Sequence, residues 1–251
     1  MKKSVIARLI HKKTARALRD YSMIVNRDRV LVAISGQDSL ALLQVLQEKA
    51  NFLPIKYKLI AAHVNLNPVR NSISNWANHL NAKVIERQLK KKGIEYHMLE
   101  VDLDKGKKER KTSECFWCSW KRREALFKLA DALKCKKIAL AHHLDDIVET
   151  YLLNIFFQGE LSTMPPKLRM FDGRFHIIRP FAYLEKKVIS EYAKIRNIPQ
   201  MPYQCPFGQT SNRTAMRKII GSLQKKRPKV KENIFKSMSN INRLYLPKKD
   251  N

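Results

Sequence analysis

Residues 30–34 (VLVAI) form an apolar, β-branched run too short for a helix, and a small polar pentapeptide, SGQDS (35–39), follows it directly. Apolar residues then recur at Leu40, Leu43 and Leu46, one face of a helix. Strand, small loop and helix start form a unit that points free backbone amides at an anion. The pattern repeats down the chain. Further strands are expected at 58–64, 94–101, 137–141 and 175–178. Helices are expected at 40–49, 82–92, 119–133, 144–157, 184–196 and 211–223, with another at 231–244. Alternation of this kind predicts an α/β fold, a doubly wound and mostly parallel sheet, with an N-terminal helix and a C-terminal helical segment. The expected organisation is a basic helical segment over 1–27, an α/β domain over 28–200 and a basic helical segment over 201–251. Residues 65–81 are rich in Asn and Ser with a proline near the start, and read as a surface loop.

In a doubly wound sheet, ligands sit beyond the carboxyl ends of the strands. SGQDS, His63 and the segment AHHLDD (141–146) all fall there. A carboxylate repels phosphate, so Asp38 makes sense if it holds Mg²⁺ against phosphates; the plain alternative is a helix cap. Asp145 and Asp146 at a helix start are open to the same two readings. Adjacent side chains such as His142 and His143 rarely converge on one metal, and none is assigned there.

Charge narrows the partner. Fifty Lys and Arg against 22 Asp and Glu leave +28. A polyanion gains most from such a surface, because neutralised phosphates release counterions. Lys121, Arg122 and Arg123, and the stretch from Arg213 through Arg217, Lys218, Lys225, Lys226 and Arg227, are the candidate contacts. No run of 18 apolar residues is present, so no membrane span is expected.

Four cysteines occur, and no signal peptide is expected before them. Cys115 and Cys118 form a CxxC, which in a cytosolic setting reads as a metal or redox site. Cys205 lies in a proline-flanked loop. Three thiolates suit a 4Fe–4S cluster with one open iron, whereas zinc would want a fourth ligand. Cys135 reads as a small buried hydrophobe beside a strand.

Together these segments resemble a known family. VLVAISGQDSLALL, CFWCSWKRREALF, AHHLDDIVETYLLNIFFQGELSTMPPKL, IIRPFAYLEKKVISEYAKIRNIP and QCPFGQTSNRTAMRKII are similar to successive blocks of the tRNA 2-thiocytidine synthetases (TtcA), which are PP-loop proteins. The resemblance runs from about residue 14 to about residue 245. It implies a cytoplasmic, ATP-dependent tRNA sulfurtransferase that adenylates the anticodon-loop cytidine at position 32 and replaces its C2 oxygen with sulfur. It also implies ATP, Mg²⁺ and a 4Fe–4S cluster as cofactors. tRNA and a cysteine desulfurase or other sulfur donor are the implied partners, and family members are often homodimers.

Carried onto this sequence, the cluster ligands are Cys115, Cys118 and Cys205. ATP would meet Ala33, Ser35, Gly36, Gln37, Asp38, Ser39, Ala62, His63, Val64, Ala141, His142 and Asp146. Catalytic work would fall to Asp38, Arg122, Arg123 and Asp146, with tRNA on Lys121 and the C-terminal cations. The family loop is SGGxDS, six residues, against five here, and residues 65–81 lack the family pattern. Two other readings stay open: a related PP-loop tRNA 2-thiouridine synthetase, and a basic RNA-binding or sulfur-handling protein whose ATP loop has degenerated.

Overall fold

A computed structural model describes residues 3–67, 73–103, 114–202 and 212–247. Six strands form one sheet: β1 (Arg29–Ile34), β2 (Lys58–Asn67), β3 (Tyr96–Asp102), β4 (Lys137–Ala139), β5 (Lys167–Met170) and β6 (Phe175–Ile178). Their order across the sheet is β3-β2-β1-β4-β6-β5. All pairings are parallel except β5 with β6 at the edge. The helices are α1 (Lys3–Asp20), α2 (Gln37–Ala50), α3 (Ile73–Lys92), α4 (Glu114–Ala132), α5 (Leu144–Gln158), α6 (Lys186–Ile195), α7 (Asn212–Lys226) and α8 (Val230–Ser237).

Alternate residues of β1 serve two cores, as expected for a strand covered on both faces. Val30, Val32 and Ile34 pack with α1, α2 and α6 residues such as Ile10, Leu43 and Tyr192. Leu31 faces the other way, with Ile60, Ala62, Leu126 and Ile138. Ile6, Ile10, Ala17 and Leu18 of α1 are buried in the first core. The basic N-terminal helix is therefore one wall of the α/β unit, with its charges on the outer face. The C-terminal helices close a third, smaller core in which Leu144 and Val148 of α5 meet Ile220, Ile234 and Phe235.

Three expectations are corrected. The segment 65–81 is not a loop throughout: β2 runs to Asn67 and α3 begins at Ile73, while 68–72 lie outside the described residues. Asn and Ser cost a helix only tenths of a kcal/mol each. A helix already anchored by buried Ile85 and Leu89 propagates back through them. The last helix ends at Ser237 instead of reaching residue 244, because only its first turns meet α5. Finally, 167–170 form a strand that the sequence did not announce.

The topology fixes where a ligand binds. β1 leads to β2 and β3 on one side, while β4 leads to β6 on the other. The order reverses between β1 and β4, which pair Val30 with Lys137 and Val32 with Ala139. A crevice opens outside the carboxyl ends at such a switch point. The segments that emerge there are SGQDS after β1 and HHLDD after β4.

Candidate nucleotide cavity

A cavity of about 590 Å³ occupies this crevice. That is ample for a nucleotide. Ala33, Ser35, Gly36, Gln37, Asp38, Ser39, Ala62, Val64, Ala141, His142 and Asp146 line it, together with Ser119, Arg122 and Arg123 from α4. The expected nucleotide and catalytic residues are thus assembled in one place. His63 is adjacent but buried, its Nδ1 2.7 Å from the Ile34 carbonyl, where it joins β2 to the end of β1. Burial lowers its pKa, against the hydrogen bond to Ile34 and with a further push from Arg122.

The loop after β1 is held from within. The Ser35 and Gly36 amides both donate to Ser39 Oγ, at 2.9 and 3.1 Å, and that hydroxyl donates to the Gly36 carbonyl at 2.8 Å. The Gln37 side chain donates to the Ile198 carbonyl at 2.9 Å. Gly36 has φ 169°, an extended backbone open to any residue, and a Cβ there would only touch Met201 Cγ at 3.5 Å.

The turn after β4 is held by carboxylates. Asp146 accepts from the His143 amide at 3.0 Å and so caps its own helix, α5. Asp145 accepts from the Lys186 amide at 2.8 Å, which caps the neighbouring α6. Lys231 of α8 reaches Asp145 at 2.7 Å. Burial alone would raise the Asp145 pKa. Instead His143, Lys231 and the Lys186 amide hold it far below the ordinary carboxylate range.

The two histidines diverge. Burial and the Arg179 guanidinium push His142 down to about 4. Arg179 Nε donates to His142 Nδ1 at 3.3 Å, which leaves the ring proton on Nε2. Burial works against a charged His143 as well, but Asp145, Asp146 and Asp38 outweigh it and raise its pKa. Its Nδ1 lies 3.4 Å from Asp145, and its Nε2 lies 3.4 Å from Asp146 and 3.9 Å from Asp38.

A second cavity of about 570 Å³ shares Asp38, His143, Asp146 and Lys186 with the first and is walled by α7 and α8. Arg217 of α7 pairs there with buried Glu149 at 2.8 Å. Arg217 is therefore a structural partner as well as a surface cation. Lys121 is similarly committed: it lies 3.3 Å from Glu124 and about 5 Å over the stacked rings of Trp117 and Trp120. Arg213 is half-buried, whereas Lys218, Lys225, Lys226 and Arg227 are exposed.

Of the three expected cluster ligands, Cys205 and the Cys115 side chain lie outside the described residues. Cys118 is half-buried in the second turn of α4 and packs against the second core, beside Ser119 and one turn before Arg122, both of which line the cavity. Cys135 is buried in the second core with a raised thiol pKa, as a structural cysteine should be. Sequence reasoning missed Lys186 and Arg179. An arginine closing the apolar strand FHII was the available cue for Arg179, and nothing local marks Lys186.

Known proteins show the family and the fold. The PP-loop domain family matches residues 7–222. The tRNA-cytidine(32) 2-sulfurtransferase of Pseudomonas fluorescens is 36% identical over 230 residues, which is 90% of this chain and 81% of that protein. The chain belongs to the PP-loop family of tRNA-cytidine(32) 2-sulfurtransferases. A member from Alcanivorax borkumensis is 34% identical over 237 residues, 92% of this chain and 80% of that protein. The fold matches a U34-tRNA thiolase of Methanococcus maripaludis, solved with its 4Fe–4S cluster, with a TM-score of 0.75 at 21% identity. That match covers 96% of this chain and 80% of the thiolase. Among the described residues, no helix is long and apolar enough to cross a membrane.

Proposed function

We propose that the chain is an ATP-dependent tRNA sulfurtransferase that 2-thiolates cytidine 32. The observation that carries this reading is one cavity, at the sheet's switch point, shared by the phosphate loop, the acidic turn and the CxxC helix. ATP lies with its base toward Ala33, Ala62, Val64 and Leu140 and its phosphates at the N-terminus of α2, where first-turn amides lack helical partners. Asp38 is the acid for Mg²⁺. The C2 oxygen of the base attacks the α-phosphorus and pyrophosphate leaves. A sulfur nucleophile then attacks C2, and AMP departs with the former C2 oxygen.

Arg122 and Arg123 take the charge that develops on the transferring group, a role their place on the cavity lining with Asp146 supports. Cys115, Cys118 and Cys205 would hold a 4Fe–4S cluster, which supplies an open iron site for sulfide. Lys218, Lys225, Lys226 and Arg227 form the exposed RNA-facing set, consistent with the +28 charge. A cysteine desulfurase or similar donor supplies sulfur, and the protein works in the cytoplasm, with a second copy where a dimer forms.

Nucleoside analysis of tRNA from a strain lacking the gene tests the reading. Loss of 2-thiocytidine supports it. Intact 2-thiocytidine with 2-thiouridine lost moves the chain to uridine thiolation.

A further inference from the structure

The phosphate loop spends its own amides. Two of them, from Ser35 and Gly36, are turned onto Ser39 Oγ, and the Gln37 side chain is bound to Ile198. The loop is also one residue shorter than the SGGxDS pattern. A side-chain cation would supply the attraction that those two amides no longer offer a triphosphate.

Three cations near the two cavities are committed elsewhere, while Arg122 and Arg123 stand on the α4 wall of the first, where they meet the transferring group. Arg179 is buried and holds His142 and the Pro165 carbonyl. Arg217 neutralises buried Glu149. Lys231, its side chain 14% exposed, bridges Asp145 and Glu185. Withdrawing any of them strands a buried group. Lys186 differs. Its ammonium lies 2.5 Å from each oxygen of Asp38, its side chain is 46% exposed, and it faces both cavities. Its backbone is fixed by the hydrogen bond to Asp145, so the stem is anchored while the head can swing.

We propose that Lys186 is the phosphate-binding cation of this cavity. It rests on Asp38 in the free chain and crosses to the β- and γ-phosphates when ATP enters, which frees the Asp38 carboxylate for the metal. This role compensates for the short, inward-turned loop, and it rests on the reading of the cavity as an ATP site.

Calorimetric titration of the full chain with ATP, pyrophosphate and AMP, each with Mg²⁺, tests it. Lys186→Met weakens ATP and pyrophosphate about tenfold or more, the value of a charge-assisted contact. AMP, which lacks the outer phosphates, binds within about twofold of wild type, and this also reports an intact fold. Lys186→Arg regains most of the loss. ATP and AMP weakened equally, or ATP unaffected, overturns the role of Lys186 while leaving the ATP site standing. A wild-type chain that binds none of the three overturns the ATP site and this role with it.

Discussion

Two helix N-termini face one cavity and do opposite things. The start of α2 keeps a neutral loop tied by a serine hydroxyl, with one carboxylate, Asp38, at its mouth. The start of α5 is filled by its own acids: Asp146 caps it and Asp145 caps α6. Both ends carry the positive pole of a helix dipole, but only that of α2 remains available to an anion. At α2 the N-cap amide is taken by the neutral Ser39 hydroxyl, and the one first-turn acid is paired with Lys186. At α5 the N-cap amide is taken by a carboxylate and a second carboxylate caps α6, which makes that end a joint.

The sharpest way to break this comparison is to swap the losses. Asp145→Ala leaves Lys231 with Glu185 alone and uncaps α6, so urea denaturation should show a destabilisation of about 2–4 kcal/mol. Asp38→Ala should behave in the opposite manner. Its partner Lys186 is half exposed, so stability falls by less than about 1 kcal/mol. Pyrophosphate release, however, falls by about a hundredfold to a thousandfold. If the two variants behaved alike, the division between joint and phosphate site would be lost.

The paired histidines sharpen it through pH. His142 titrates near 4 in the fold against about 6.5 unfolded, so the unfolded chain takes up its proton first. The stability it confers is complete above about 6.5 and is lost as pH falls toward 4. His143 has a raised pKa, so its contribution is complete below about 6.5 and is lost as pH rises through the folded value. Imidazole NMR should show His142 neutral at pH 6 while His143 is charged. In unfolding titrations, His142→Asn should remove stability lost in the acid window and His143→Asn stability lost in the alkaline one. Ser39→Ala releases the Ser35 and Gly36 amides and costs about 1 kcal/mol in thermal unfolding.

How much of this was legible depended on distance along the chain. β1, β2, β4 and β6 announce themselves as largely apolar runs, and their burial on both faces explains why. β5 does not, because Lys167–Met170 alternates charged and apolar residues over four positions at an exposed edge. The two motifs at the switch point could be read because each is contiguous and each ends a strand. Lys186 could not, since its partner Asp38 lies 148 residues away. Lys121 was legible as a cation but not as a committed one: the rings of Trp117 and Trp120, four residues and one residue earlier, hold it together with Glu124.

The most direct test is pyrophosphate release from ATP by the anaerobically purified chain, measured with and without tRNA. The account predicts release that requires tRNA bearing an unmodified cytidine 32 and that stops when that nucleotide is changed to guanosine. Release indifferent to tRNA, or none while ATP and tRNA are both bound, would contradict it.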